Sequence, residues 1–255
     1  MKIYDQIAKL KTFTLSDVTD ITGNVNTSAS LIGRLLKKNY IVRIRKDLYT
    51  SIDLTTGNIV ANKYQIASAI NENAFISHHT AFEFYGLANQ VYNTVYVSSK
   101  KRFNTFIFKE TTYKHVESSF DEGVFQVKNI EGIRIAEIER ALVDSIQHVG
   151  KIGGFEELIK TIEMLEELDE LKLLQYMKKY HNNFLYQKTG FIFERYYKGE
   201  GISASFYERC RIESRDSVRY LVPNHSGKFQ ASWNLIVPEE YLARNDEEVG
   251  PNEYI

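Results

Sequence analysis

The sequence predicts an α+β protein: a winged helix-turn-helix over residues 1–52, then a mixed domain over 53–255 with a small antiparallel sheet and a helical C-terminal half. Three observations predict it. Three short helical periodicities and one two-stranded alternation fill the first fifty residues. A block of alternating runs rich in Val, Ile, Phe and Tyr occupies residues 94–136. Beyond residue 137 the apolar period becomes helical, which subdivides the second domain near 136–150.

At 255 residues, two domains are the default expectation, and 43% apolar residues suffice for packed cores. With three prolines in the chain, long structureless linkers are not expected. One cysteine, Cys210, excludes an intramolecular disulfide and a Cys-rich zinc site. The N-terminus has no apolar run of signal-peptide length, and no stretch approaches a membrane span, so a cytoplasmic protein is expected. The overall charge of −1 is split unevenly. Residues 1–50 carry nine cations and four anions, net +5, whereas the remainder carries 23 and 29, net −6. Such asymmetry suggests a nucleic-acid or anionic-surface module joined to a neutral or acidic body.

In the N-terminal module, Ile3, Ile7 and Leu10 share one helical face. Thr14 with Asp17 reads as a capping box before Leu15, Val18 and Ile21, and Gly23-Asn24 breaks that helix. Asn26 is expected to cap a third helix running to about Asn39. Its apolar arc is Ala29, Ile32, Leu35 and Leu36; the opposite arc is Asn26, Thr27, Ser30, Arg34, Lys37 and Lys38. Short hydrogen-bonding side chains followed by cations suit a helix lying in the major groove of double-stranded DNA. The run IVRIRKDLYT alternates as a two-stranded wing turning at Lys46-Asp47, and Arg43, Arg45 and Lys46 would neutralise flanking phosphates. Such modules also bind proteins, and that alternative stays open.

The body reads in order as a helix over Asn58–Asn73 with Ile66, Ala67 and Ile70 inward, then a brief strand and a helix from near His79 to Gly86. Strand runs TVYVSS, TFIFKE, TTYKHVES, GVFQVKNI and GIRIAE follow, with Asp121-Glu122-Gly123 as a turn. IERALVDSIQHV is a helix broken by Gly150 and Gly153-Gly154; GFEELIKTIEMLEELDELKLLQYMKKY and NFLYQKTGFIFERYYKG supply more. RYLVP and ASWNLIVP read as closing strands, and the acidic tail NDEEVGPNEYI as frayed.

The stretches SHHTAFEFYGLANQVYNTVYV, VKNIEGIRIAEIERALVDSIQHVGKIGGFEEL, KTGFIFE, RYLVP and WNLIVP carry a resemblance. Over residues 1–240 the order of elements resembles the AbiEi-type antitoxin and transcriptional regulator of AbiE abortive-infection systems. The most specific block is Ile138-Glu139-Arg140-Ala141-Leu142-Val143-Asp144 followed by the paired glycines. The resemblance implies autorepression through inverted repeats upstream of its own operon, in a phage-defence toxin–antitoxin system. It also implies type IV antitoxicity toward a cognate nucleotidyltransferase-like toxin, without a stable complex and dependent on the C-terminal domain. No motif assigns residues to antitoxicity.

No catalytic signature appears. The Gly-Ser and spaced Asp-x-Asp of a nucleotidyltransferase are missing, as are Gly-x-Gly-x-x-Gly and phosphate-loop patterns, so neither enzymatic activity nor a cofactor is expected. The histidines are scattered apart from His78-His79, which read as a helix boundary with one ring capping or packing. Asp144, four residues after Arg140, reads as an ion-pair partner or surface hydrogen-bonding group. Glu156, Glu157, Glu163, Glu166, Glu167, Asp169 and Glu170 read as the wet face of amphipathic helix. Lys100, Lys101 and Arg102 form a second basic cluster, either a solvated turn or a DNA contact beside the wing. Among the abundant aromatics, Tyr196, Tyr197 and Tyr207 are candidates for a partner surface, and Cys210 reads as a buried apolar residue.

Overall fold

A computed structural model describes residues 3–214 and 217–243. The acidic tail expected to fray lies outside the described residues. The chain opens with α1 (Ile3–Lys9), α2 (Leu15–Thr22) and α3 (Val25–Lys37), followed by the hairpin β1 (Ile41–Arg45) and β2 (Leu48–Ser51). The capping box is present: Thr14 N donates to Asp17 Oδ2 at 2.7 Å, and Asp17 N to Thr14 Oγ1 at 3.3 Å. Gly23, at φ 74°, ends α2 in the left-handed conformation and donates its N–H to Thr19 O at 2.7 Å. That one residue completes the reversal, so Asn24 is already extended and accepts the Thr27 N–H at 3.0 Å. The cap is therefore Asn24, not Asn26, and α3 begins two residues earlier than the sequence reading.

Ile7, Phe13, Val18, Ile32, Leu35, Ile41 and Tyr49 form a small core joining the three helices to one face of the hairpin. The hairpin has a second buried face. Its register runs Arg43↔Tyr49 and then Arg45↔Leu48, so β1 carries one extra residue, a bulge. Ile44 and Leu48 both join the main core of the body.

The body begins with α4 (Lys63–Ser68), β3 (Phe75–Ile76) and α5 (His78–Tyr85). It continues with β4 (Thr94–Ser99), β5 (Phe106–Phe108), β6 (Thr111–Glu117), β7 (Val124–Gln126) and β8 (Arg134–Ala136). The helix expected over 58–73 shrinks to α4 because residues 59–60 are drawn into pairing beside the hairpin: Val60 N donates to Ser51 O at 2.9 Å. Asn62 then caps α4 in a capping box with Gln65. The sheet is larger than expected and mixed rather than antiparallel, with six strands ordered β5-β6-β4-β3-β8-β7. β4 runs parallel to β6 and β3 to β8, while the other pairs are antiparallel. Alternation identifies a strand; it says nothing of the partner's direction.

The helical half is α6 (Ile138–Gln147), α7 (Phe155–Glu163), α8 (Glu170–Lys179), α9 (Asn183–Tyr196) and α10 (Ala204–Glu213). β9 (Arg219–Tyr220), β10 (Lys228–Gln230) and β11 (Leu235–Val237) then form a three-stranded sheet ordered β10-β11-β9. α9 is buried nearly throughout, and Gly190 lets Trp233 lie directly on its backbone: a Cβ there would stand 2.1 Å from Trp233 Cη2. Among the described residues, no helix is long and apolar enough to cross a membrane.

Because Leu48 belongs to the body core although it lies in the N-terminal fifty residues, Leu48→Ala should destabilise the whole chain. The expected loss of unfolding free energy is about 2–5 kcal/mol, in a urea transition that remains single. An independent early transition for residues 3–51 would show instead that the hairpin does not join the two cores.

Candidate nucleic-acid interface

The inner face of α3 is Ser28, Ile32 and Leu35, at i, i+4 and i+7. Ser28 Oγ lies 2.6 Å from Thr22 Oγ1 and donates to Asn24 O at 2.9 Å, fixing the turn between α2 and α3. Ala29, expected inward, is exposed, because Ser28 occupies the inner position one residue before it. The outer face carries the polar residues expected there. Asn26, Thr27 and Ser30 stand exposed in the first half, and Arg34, Lys37 and Lys38 in the last turn and cap. None of these three cations forms an ion pair among the described residues.

Beside α3, the hairpin turn is fixed to α2: Asp47, at φ 54°, accepts the Leu15 N–H on Oδ1 at 2.9 Å. Lys46 at this turn is exposed. Arg43 is exposed too, leaning on Tyr49 with its Cζ 5.5 Å from the ring centroid. Arg45 differs from the sequence reading. The bulge takes it off the outward face it would share with Arg43, and its Cζ lies 5.6 Å and 5.2 Å from the ring centroids of Phe103 and Phe106. In this arrangement it faces the body rather than a solvent-exposed phosphate track. The second basic cluster is divided. Lys100 pairs with Asp121, whereas Lys101 lines a cleft with Lys46 and is anchored through its carbonyl by Asn71 Nδ2 and Ser99 Oγ. Asp17, Asp47 and Glu72 line that same cleft.

Arg140, Asp144, His78 and His79, singled out in the sequence, are all buried. Arg140 and Asp144 are each 1% exposed and pair at 2.7 Å, so Asp144 is an ion-pair partner inside the fold rather than on its surface. Arg140 also donates to Glu122 O at 2.7 Å and Ser118 Oγ at 3.1 Å, with Phe120 stacked 3.5 Å from its Cζ. Tyr180 donates to Asp144 Oδ1 at 2.5 Å. The hub thus ties α6 to α8 and to the loop before β7. Sequence spacing gave the Arg140–Asp144 pair but not its burial, since the 118–122 loop that covers it is remote in sequence.

His78 and His79 are both buried. His78 Nδ1 lies 2.9 Å from Ser77 Oγ, while its Nε2 and both ring nitrogens of His79 have no hydrogen-bond partner among the described residues. His79 Nε2 is 3.6 Å from Glu157 Oε1. Glu157 is not on the wet face: it is buried and accepts the Asn89 N–H at 2.9 Å, whereas Leu171, from the expected apolar face, is 73% exposed. No group of three His, Cys, Asp or Glu side chains among the described residues could hold a metal ion. Burial pushes the Cys210 thiol up to about 12, the opposite of a reactive thiolate. Tyr196 and Tyr197 are buried, which takes them out of a partner surface, while Tyr207 is half-buried.

No protein-family model matches the chain, and no curated protein matches it. A solved structure of similar fold is that of the RV2827C protein from Mycobacterium tuberculosis, with a TM-score of 0.66, 12% identity, and coverage of 96% of this chain and 93% of that one. At that identity the likeness is one of fold alone.

Burial holds His78, His79 and His148 below the usual 6.5 for histidine. The unfolded chain therefore takes up protons that these folded rings exclude, and the three histidines lower stability as pH drops below about 6.5. Urea titrations between about pH 8 and about pH 5 should show that decline, with a shallower slope in His79→Gln. An identical slope in His79→Gln would mean that the His79 ring is solvated.

Proposed function

We propose that the chain is a double-stranded-DNA-binding transcriptional autorepressor whose N-terminal helices and hairpin act as a winged helix-turn-helix. The observation that carries this reading is the outer face of α3: Asn26, Thr27 and Ser30 exposed in its first half, then Arg34, Lys37 and Lys38 exposed and unpaired among the described residues. With α3 in the major groove, Asn26 has the donor–acceptor pair that adenine presents a match for, and Arg34 the fork that suits guanine or a phosphate. Lys37, Lys38, Arg43 and Lys46 supply phosphate contacts, which set affinity and register. This division of labour follows the basic N-terminal segment and the acidic remainder.

The antitoxin half of the proposal rests on the resemblance in residues 77–97, 127–158, 188–194, 219–223 and 233–238. On that reading the body counteracts a cognate nucleotidyltransferase-like toxin in the cytoplasm, as part of phage defence and without a stable complex. A protein-docking role for the α3 face is the second reading. It is favoured by Val25, 55% exposed in the first turn.

Titration on the chain's own upstream DNA and on a scrambled duplex, at several salt concentrations, separates the two. Selective, salt-sensitive binding is expected, weakened roughly tenfold or more in Arg34→Ala/Lys38→Ala. Equal weak binding to both duplexes, unaffected by the substitutions, would overturn the regulator and favour protein docking. In cells carrying the toxin, the same double variant should still neutralise it, and loss of neutralisation by a folded variant would contradict the division of labour. Point substitutions suit this test better than deleting residues 1–52, which would remove Ile44 and Leu48 from the body core.

A further inference from the structure

Arg45 is held in a way that little else in the chain is. It ends β1, immediately before the exposed turn residue Lys46. Its guanidinium faces Phe103 and Phe106, whose rings meet edge to face at 6.3 Å, and no carboxylate among the described residues pairs with it. Its Nη1 is shut away from solvent and has no hydrogen-bond acceptor among the described residues. The side chain as a whole is half-buried, so it is not sealed into a core. A cation over aromatic faces is attracted by the rings, but an unsatisfied buried N–H works against that attraction. The packed position is thus favoured by one interaction and opposed by another, and a phosphate within reach would offer the side chain both charge and acceptors.

We propose that Arg45 is a two-position side chain: packed on Phe103 and Phe106 in the free protein, and swung onto the DNA backbone in the complex. This rests on the DNA-binding reading of the hairpin. Its consequence lies in the body. Phe106 belongs to β5, one of the two edge strands of the six-stranded sheet, so DNA binding removes a contact from that edge. By linkage, anything that tightens the Arg45–Phe106 contact from the body side weakens DNA binding, and anything that loosens it strengthens binding. The bulge in β1 makes the exchange local, because it lets Ile44 stay anchored in the body core while its neighbour turns.

The test compares the full chain with Arg45→Met, Arg45→Lys and Phe106→Leu on the upstream duplex across salt concentrations, with thermal stability measured without DNA. Arg45→Met keeps an apolar stem on the rings and removes the cation. It should bind more weakly, with the slope of log affinity against log salt shallower by about 0.9, and without loss of thermal stability. Arg45→Lys should keep the slope, and Phe106→Leu should bind more tightly than the unsubstituted chain. An unchanged slope in Arg45→Met, beside selective binding by the unsubstituted chain, overturns the two-position side chain and leaves the regulator standing. No selective binding by the unsubstituted chain overturns both.

Discussion

The hairpin of residues 41–51 is buried on two sides, and the arrangement of the molecule depends on that constraint. Ile41 and Tyr49 complete the small core under the three N-terminal helices, while Ile44 and Leu48 enter the large core of the body. A regular two-stranded ribbon with one wet face could not do both, since strict alternation sends Arg43 and Arg45 the same way. One extra residue in β1 resolves the conflict. Asp47 fastens the turn to α2, and the pairing of Ser51 with Val60 carries the strand direction into the body. The orientation of α3 is therefore set by packing rather than by a linker.

Within the body, the Arg140–Asp144 pair has a comparable role. A buried ion pair adds little net stability, because desolvation offsets the attraction. Here the pair is held by further partners: two backbone carbonyls and a serine hydroxyl on the arginine, a tyrosine hydroxyl on the aspartate, and a phenylalanine ring beneath. That network specifies which loop lies on α6 and how α8 crosses it. The Ile138–Asp144 segment thus holds a packing hub.

Much of this was legible in the residues themselves. The Thr14–Asp17 box, the Gly23 break, the polar face of α3, the strand runs and the period switch near 137 all appear where local chemistry put them. What was not legible depended on contacts distant in sequence. Alternation could not reveal the bulge that redirects Arg45, nor the parallel pairing of β4 with β6. Helical periodicity could not tell that Glu157 would be buried against the Asn89–Gln90 backbone while Leu171 faced water. The helix expected over 58–73 was shortened by strand pairing that only the folded hairpin creates. In each case a tertiary partner outweighed a correctly read local preference.

The central claim is that α3 and the hairpin meet DNA while the body stays clear of the groove. Hydrogen–deuterium exchange on the full chain, with and without its upstream duplex, tests this most directly. The account predicts new protection concentrated in residues 24–38 and 41–49. Protection confined to the body, or none in the presence of a duplex that demonstrably binds, would contradict it.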